Sequence, residues 1–227
     1  MNFWERILYL LQEYGTSYLK GAGTTLVIAL VSTAIGCLIG FIVGIIQTIP
    51  EDKHRDSLLK KIVLKIVKII LKIYVEVFRG TPMIVQAVFI YYGAAQIFNI
   101  QMGMWQSAFL IVSINTGAYM AESVRGGIIS VDPGQTEGAK AIGMTHVQTM
   151  TNVILPQAFR NILPQIGNNL IINIKDSSVM FIISFTEFFA AHRGAVGATY
   201  LYFPSATIEM VGYLTMTLIA SFLLRKG

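Results

Sequence analysis

Two long stretches of this chain contain no charged residue, and they restrict its fold more than any other feature. Residues 21–50 and 80–121 both lack Asp, Glu, Lys and Arg. A helix that crosses a bilayer needs about 20 apolar residues, so the first stretch predicts one span and the longer second stretch predicts two. A hydrophobic content of 54% and a mean hydropathy of +0.63 are too high for an ordinary soluble domain. The chain is therefore predicted to be an all-α integral membrane protein.

Breaks in the apolar pattern set the predicted spans. Polar residues and glycine collect at residues 99–103, so the second charge-free stretch divides there. Residues 187–203 are predicted to form a short external re-entrant or amphipathic loop before the last span. The five predicted transmembrane helices cover residues 24–46, 82–98, 104–123, a fourth segment that starts near residue 163, and residues 204–224.

Three glycines in the first predicted span recur at intervals of four residues. They are Gly36, Gly40 and Gly44. This spacing places them on one helix face, where the absence of side chains permits close approach of another helix. Glycine is also common in membrane helices without such a role, so the sequence leaves both interpretations open.

The segments that flank the spans are amphipathic. Residues 1–20 mix aromatic, leucine and charged residues and are predicted to lie on the extracytoplasmic membrane surface, without the basic start and cleavage site of a signal peptide. In residues 51–79, lysines fall on one helical face and isoleucines on another, which favours a basic helix at the anionic cytoplasmic surface over a calmodulin-type target. The lysines are Lys61, Lys65, Lys68 and Lys72.

The positions of Lys and Arg predict the orientation. The net charge is +5, and the basic residues that cause it lie beside the predicted spans, so they do not indicate a nucleic-acid partner. If the segments around residues 51–79 and 125–160 are cytoplasmic, only Arg6, Lys20 and Arg193 lie outside, with Lys175 inside the membrane. Because basic residues favour the cytoplasmic side, the N-terminus is predicted outside and the C-terminus in the cytoplasm.

Residues 132–156 form a polar island with the sequence DPGQTEGAKAIGMTHVQTMTNVILP. Asp132 is a predicted N-cap, with proline at the first helical turn and Gln135 completing a capping box. A similar Thr-x-x-Gln pattern begins at Thr145. Gly143 lies between the two caps, so the island is predicted to be a short helical hairpin with its turn at this glycine.

The spacing within this island resembles the cytoplasmic signature of ABC importer permeases, the membrane subunits of binding-protein-dependent uptake systems. Its E-A-A, G and I-x-L-P elements match Glu137, Ala139, Gly143, Val153, Leu155 and Pro156. Two positions depart from the signature, since Gly138 replaces one of the two alanines and Val153 replaces isoleucine. The stretches EVFRGTP at residues 76–82 and NIKDSS at residues 173–178 also resemble the polar amino acid branch of this family.

The resemblance implies a type I ABC importer transmembrane domain over residues 21–227, in a multi-pass protein of the bacterial inner membrane. It also implies a second permease chain, an extracytoplasmic amino acid binding protein, and a cytoplasmic ATPase subunit that carries ATP and Mg²⁺, with no cofactor on this chain. The presence of a full coupling segment and candidate substrate residues in one chain favours a homodimer, but a different second permease chain stays open. Residues 132–156 are then the segment that couples to the ATPase. The predicted coupling residues are Glu137, Ala139, Lys140, Gly143, Met144 and Val147. Met144 and Met150 give the segment an adaptable apolar face, which alternatively packs against the chain's own spans.

Charged residues inside the membrane are costly and mark candidate substrate contacts. Lys175 and Asp176 fall near the middle of the fourth predicted span, about 18 Å from its start at 1.5 Å per residue. Side chains of adjacent residues on an intact helix point about 100° apart. Lys175 and Asp176 can therefore contact the same substrate only if the helix unwinds locally. Ser177 and Ser178 would then bond the freed backbone groups. Alternatively, the charged pair neutralises charges on neighbouring helices.

Three further polar residues are weaker candidates for substrate contact. Glu122 lies three positions before Arg125 and is equally suited to a structural ion pair at the membrane edge. Glu209 lies about five residues into the fifth predicted span, where it attracts a cationic group or extends outward to water. Asn115 is a possible lining residue of the path.

The sequence contains no motif that favours enzymatic chemistry. It has no G-x-x-x-x-G-K-[ST] phosphate-binding loop, no cluster of His and Cys at metal-ligand spacing, and a single cysteine, Cys37, so no intrachain disulfide is possible. The favoured function is the permease subunit of an ATP-driven polar amino acid importer that works by alternating access. The alternatives are a proton-coupled secondary transporter, against which the lack of an internal repeat argues, and a scaffold protein without a transport path.

Overall fold

The computed structural model describes residues 1–50 and 57–226, and every regular element in those ranges is helical. The α-helices are α1 (Phe3–Thr48), α2 (Leu58–Gly80), α3 (Met83–Phe98), α4 (Met104–Ile129), α5 (Pro133–Ala141), α6 (His146–Thr149), α7 (Leu155–Asp176), α8 (Phe188–Thr199) and α9 (Tyr202–Lys226). A π-helix, Met150–Ile154, precedes α7, and a 3₁₀-helix, Ser177–Ile183, follows it. The all-α prediction is confirmed for the described chain.

Two of the described helices are long and apolar enough to cross a membrane by themselves. They are α1 and residues Tyr202–Arg225 of α9. Residues His146–Ile183 and α8 pass the same test only as a pair, bent by 53°, which is either a broken span or a re-entrant loop. Helix α3 is apolar but only 16 residues long. The total of five spans therefore stays a prediction.

The chain divides into two compact units. The first comprises Met1–Ala34, Pro82–Ser113 and Asn169–Gly227, and the second comprises Ile35–Thr81 and Ile114–Asn168. The first unit has two apolar clusters, one around Ile111, Met180 and Phe185 and one around Leu10, Ile174 and Phe188. The second unit packs around Met120, Val124 and Ile162, with a smaller cluster at Val43, Val75 and Ala121.

Helix α1 begins at Phe3 because Asn2 and Glu5 cap it reciprocally. The Oδ1 of Asn2 accepts from the backbone N of Glu5 at 2.8 Å, and the Glu5 carboxylate accepts from the backbone N of Asn2 at 2.9 Å. The helix then continues unbroken to Thr48. The predicted division between residues 1–20 and the membrane domain therefore falls inside a helix, and its functional meaning stays a prediction.

The glycine face predicted in the first span makes a close contact with α4 inside the second unit. A Cβ atom placed on Gly40 would lie 2.3 Å from the Cβ of Met120, and one placed on Gly44 would lie 2.7 Å from the Cβ of Val124. Since real Cβ atoms do not approach so closely, the two helices require glycine at these positions. The interpretation as a helix contact is confirmed for Gly40 and Gly44.

Helix α2 corresponds to the predicted basic amphipathic helix. It begins after Ser57, whose Oγ accepts from the backbone N of Lys60 at 3.4 Å, and ends at Gly80, where Thr81 and Pro82 follow. The predicted helix started at residue 51, but residues 51–56, including Lys53 and Arg55, lie outside the described residues. The predicted break at residues 99–103 is confirmed, and Asn99 ends α3 in the left-handed conformation with φ 57°.

Two predicted segments of the C-terminal part coincide only partly with the helices, and their membrane boundaries stay predictions. The fourth apolar segment was expected to start near residue 163, but α7 begins at Leu155 and passes through Pro164. The loop expected at residues 187–203 is largely the helix α8, because the Glu187 carboxyl group accepts from the backbone N of Ala190 at 3.0 Å and starts a helix there. One face of α8 is buried, including Ala195 and Val196.

Candidate functional site

The polar island folds as the predicted hairpin. Asp132 caps α5 by accepting from the backbone N of Gly134 at 2.7 Å, and Gly143 turns the chain at φ +84°, a conformation that favours glycine. Thr145 and Gln148 form the predicted capping box of α6. The capping box expected at Gln135 is wrong, because the Asp132 carboxylate bonds one residue earlier.

The structure separates the predicted coupling residues by exposure. Glu137, Lys140, Gly143 and Val147 are exposed, and Met144 is half-buried. Ala139 is only 6% exposed and belongs to the interior of its own unit, so its small side chain does not lie on the outer surface of the hairpin.

Ile142 is an exposed residue of the hairpin that the sequence analysis missed. It is 80% exposed directly before Gly143, and Val147, four residues after the glycine, is 67% exposed. An apolar residue next to a turn glycine was the available signal. Together these side chains give the hairpin an apolar tip beside the charged groups of Glu137 and Lys140. We call the exposed surface of Glu137, Lys140, Ile142 and Val147 the hairpin tip.

His146 lies beside the hairpin tip and is half-buried. Burial lowers the pKa of His146, and the positive charge of Lys140 lowers it further. The imidazole is therefore neutral at neutral pH, and a proton added below the lowered pKa would put a second positive charge beside Lys140. At neutral pH the tip presents one carboxylate, one ammonium and an apolar patch.

Glu122 forms the predicted pair with Arg125 and a further contact that the sequence did not indicate. Its carboxylate accepts from Nε of Arg125 at 3.1 Å and also from Nη2 of the same guanidinium. Nη1 of Arg79, at the end of α2, lies 3.9 Å from the same carboxylate, and its guanidinium lies over the ring of Tyr119 at 5.8 Å. The pairing of Glu122 with two cations favours the structural interpretation of this residue.

Asn115 lies in the same unit but is turned toward α2. It is 9% exposed, and its Nδ2 donates to the backbone O of Phe78 at 3.3 Å. Tyr74 makes a second contact between the two helices, since its OH donates to the backbone O of Ile114 at 2.6 Å. Asn115 therefore helps to hold α2 against α4 in this structure.

Lys175 and Asp176 lie at a change of helix type in the first unit. Helix α7 ends at Asp176 and the tighter 3₁₀-helix begins directly at Ser177, so the helix type changes here but the backbone is not unwound. Ser177 is buried, and its Oγ donates to the backbone O of Ile174 at 3.0 Å. Lys175 is exposed and Asp176 half-buried, and neither forms an ion pair within 4.0 Å among the described residues.

Glu209 contacts a histidine on α8. Its Oε2 lies 3.4 Å from Nδ1 of His192 on α8, and both side chains are at least 85% buried. Nδ1 of His192 is also 2.8 Å from Oγ of Ser205, which lies 2.6 Å from the OH of Tyr18 on α1. This network joins α1, α8 and α9 and was not predicted.

Glu187 is a buried carboxyl group that the sequence analysis missed. It is 1% exposed and accepts from Oγ1 of Thr25 at 3.1 Å, from the OH of Tyr213 at 2.8 Å and from the backbone N of Ala190 at 3.0 Å. Its position between two apolar helical patterns was the available signal, but its partners lie far away in sequence. Glu187 holds α1, α8 and α9 together within the first unit.

The chain is similar to known transport proteins. The family described as "Binding-protein-dependent transport system inner membrane component" matches residues 63–225. The glutamine transport system permease protein GlnP of Escherichia coli K12 is 37% identical over 153 residues, which are 67% of this chain and 70% of GlnP. The arginine transport system permease protein ArtQ of Bacillus subtilis 168 is 36% identical over 147 residues, which are 65% of this chain and 67% of ArtQ.

Solved structures extend the similarity over nearly the whole chain. A crystal structure described as an amino acid ABC transporter with histidines matches with a TM-score of 0.83 at 33% identity, over 99% of this chain and 96% of that chain. The inward-facing MetNI methionine ABC transporter matches with a TM-score of 0.71 at 19% identity, over 100% of this chain and 97% of that chain, which shows a shared fold.

These similarities decide between the functions left open by the sequence. The secondary transporter and the scaffold have no support among them, and the fold is that of a type I ABC importer permease. The chain belongs to the family of binding-protein-dependent transport system inner membrane components, as the permease subunit of an ATP-driven importer whose ATPase is a separate subunit.

Proposed function

We propose that this permease imports a polar amino acid by alternating access. Two kinds of similarity support this proposal. Relatives are named for glutamine and arginine transport, and 99% of the chain is similar to an amino acid ABC transporter of known structure. ATP and Mg²⁺ bind on the ATPase subunit, and this chain carries no cofactor. An extracytoplasmic binding protein delivers the amino acid.

Uptake by the reconstituted complex tests this proposal. The permease is purified with its ATPase and placed in liposomes, and uptake of labelled polar amino acids from the binding protein is measured with and without ATP on the ATPase side. We expect uptake that requires ATP and selects among the amino acids. Uptake driven by a pH gradient alone would contradict the proposal.

The proposed assembly is a homodimer of five-span permease chains with two ATPase subunits. One chain contains both a complete hairpin and candidate substrate residues, which supports two identical copies. The distribution of Lys and Arg supports an extracytoplasmic N-terminus and a cytoplasmic C-terminus. Crosslinking of cysteine-labelled copies and accessibility of terminal tags would test both points.

The hairpin tip is the proposed contact with the ATPase. Caps at Asp132 and Thr145 and the turn at Gly143 fix its two short helices, so a force applied to the tip moves the hairpin as one body. The apolar side chains of Ile142 and Val147 suit burial in a groove of the ATPase, flanked by polar contacts from Glu137 and Lys140.

Replacement of Glu137 by lysine is expected to uncouple ATP hydrolysis from uptake. Glu137 is exposed, so E137K leaves folding and membrane insertion intact but reverses a charge at the proposed contact. We expect ATP-driven uptake to fall about tenfold. The complex either keeps its ATPase subunit and hydrolyses ATP without uptake, or no longer holds the ATPase subunit. The control is E13K, which reverses the charge of an exposed glutamate on α1. Normal uptake by E137K would remove Glu137 from the contact.

The proposed substrate contacts are Lys175 and Asp176, with Glu122, Asn115 and Glu209 as secondary candidates. Lys175 and Asp176 are supported by the change of helix type at Asp176 and by the absence of an ion partner for either group in the described chain. An ammonium and a carboxylate side by side also match the zwitterionic head of an amino acid.

Replacement of Asp176 by asparagine is expected to impair uptake more than assembly. The substitution keeps the size of the side chain and removes its charge, so we expect at least a tenfold loss of uptake with normal complex yield, because one contact to a charged group contributes about 1.5 to 3 kcal/mol. The measurement is the concentration dependence of uptake, with E13Q as control. Unchanged rate and apparent affinity would exclude Asp176 from the substrate path.

A further inference from the structure

A cavity of about 430 Å³ lies beside the C-terminal half of α2, within the second unit. Its charged lining residues are Lys68, Lys72, Glu76, Arg79, Glu122 and Arg125. Four cations against two carboxylates leave an excess of two positive charges. Such a cavity favours an anionic occupant.

Within the described residues, Lys72 is a cation of this cavity that has no partner. Glu122 is held by Arg125, and Nζ of Lys68 donates to the backbone O of Ile49 at 2.5 Å. Lys72 forms no hydrogen bond or ion pair with any residue of the described ranges, and no contact within 4.0 Å joins it to Glu76, one turn away. The ammonium group of Lys72 is therefore available to an added anion.

An apolar stripe runs along α2 next to this cationic face. Ile66, Ile69 and Ile73 are 51%, 49% and 57% exposed, and their spacing of three and four residues aligns them on one side of the helix. An occupant with an anionic head and an apolar tail matches the cavity and the stripe together, whereas a free anion matches the cavity alone.

We infer that this cavity binds the headgroup of an anionic phospholipid whose acyl chain lies along the isoleucine stripe. Phosphodiester oxygens accept hydrogen bonds from Lys and Arg, and basic pockets at the cytoplasmic side of membrane helices suit such headgroups. The inference rests on the proposed function in one respect, since the proposed orientation places α2, including the half that lines the cavity, at the anionic cytoplasmic leaflet.

Native mass spectrometry of the purified permease and ATPase complex tests the site directly. The complex is incubated with phosphatidylglycerol or with phosphatidylcholine of the same acyl chains, and the retained lipid is counted. We expect preferential retention of phosphatidylglycerol, reduced about fivefold by K72Q. The matched control is K65Q, which removes one exposed positive charge from the same helix outside the cavity and should change retention less than twofold. K72R should retain the lipid.

Each remaining outcome counts against the inference. Equal retention of the two lipids, or equal losses in K72Q and K65Q, would show only general attraction to a basic helix. Displacement of the lipid by millimolar inorganic phosphate would assign the cavity to a free anion instead. Because retention is measured without transport, a complex that binds phosphatidylglycerol through Lys72 but imports no amino acid would refute the proposed function and leave this site intact.

Discussion

Replacing Gly40 with alanine is expected to destabilise the folded chain by about 2 kcal/mol, as overpacking of a close helix contact does. The added Cβ would lie 2.3 Å from the Cβ of Met120 and 2.8 Å from its backbone C. Backbone atoms cannot move aside as the end of a flexible side chain can, so α1 and α4 must separate at this point. Valine at position 40 should be worse than alanine.

The matched control is Gly23→Ala on the same helix. A Cβ atom on Gly23 meets no atom within 4 Å, so this change should be neutral or stabilise the chain by up to about 1 kcal/mol through helix propensity. Unfolding of the two variants and the wild-type complex is measured in the same detergent. Equal stability of Gly40→Ala and Gly23→Ala would mean that α1 and α4 do not pack as closely as described.

The features predicted correctly from the sequence are those whose signal is local. Asp132 and Thr145 cap their own helices, and Gly143 supplies a conformation that neighbouring residues require. The pair Glu122 and Arg125 is one helical turn apart. Each of these interactions joins residues within four positions, so residue type and spacing are sufficient to predict it.

The features missed by the sequence analysis depend on partners far along the chain. Arg79 meets Glu122 across 43 positions, and His192 meets Glu209 across 17. No periodic pattern encodes such pairs. The burial of Ala139 was missed for the same reason, because a small residue in a polar helix gives no sign of which face packs inward.

Glu187 is the clearest case of a long-range partner with a large expected effect. Thr25, 162 residues away, and Tyr213 donate to its carboxyl group, and the backbone N of Phe188 donates to Oγ1 of Thr25 at 3.3 Å. The backbone there leaves no space for a side chain on α1, since a Cβ atom on Gly21 would lie 2.8 Å from the backbone O of Glu187. The corner between the 3₁₀-helix and α8 is therefore fixed against α1 and α9.

Replacement of Glu187 by leucine is expected to destabilise the chain by at least about 3 kcal/mol. The substitution leaves the buried donor on Thr25 and the partly buried donors on Tyr213 and Ala190 without their acceptor, and each unsatisfied buried group costs about 1 to 3 kcal/mol. Glu187→Gln keeps an acceptor oxygen, so its loss should be near 1 kcal/mol, similar to that of Tyr213→Phe.

The control for Glu187 is Glu13→Leu, which replaces an exposed glutamate of α1 and should change the free energy of unfolding by less than about 0.5 kcal/mol. Thermal unfolding and the yield of monodisperse complex are measured for all four variants. We expect Glu13→Leu to be the most stable variant and Glu187→Leu the least stable. Glu187→Gln and Tyr213→Phe should lie between them. A Glu187→Leu complex as stable as the Glu13→Leu control would show that the three donors find other acceptors, and Glu187 would then not be the group that joins these helices.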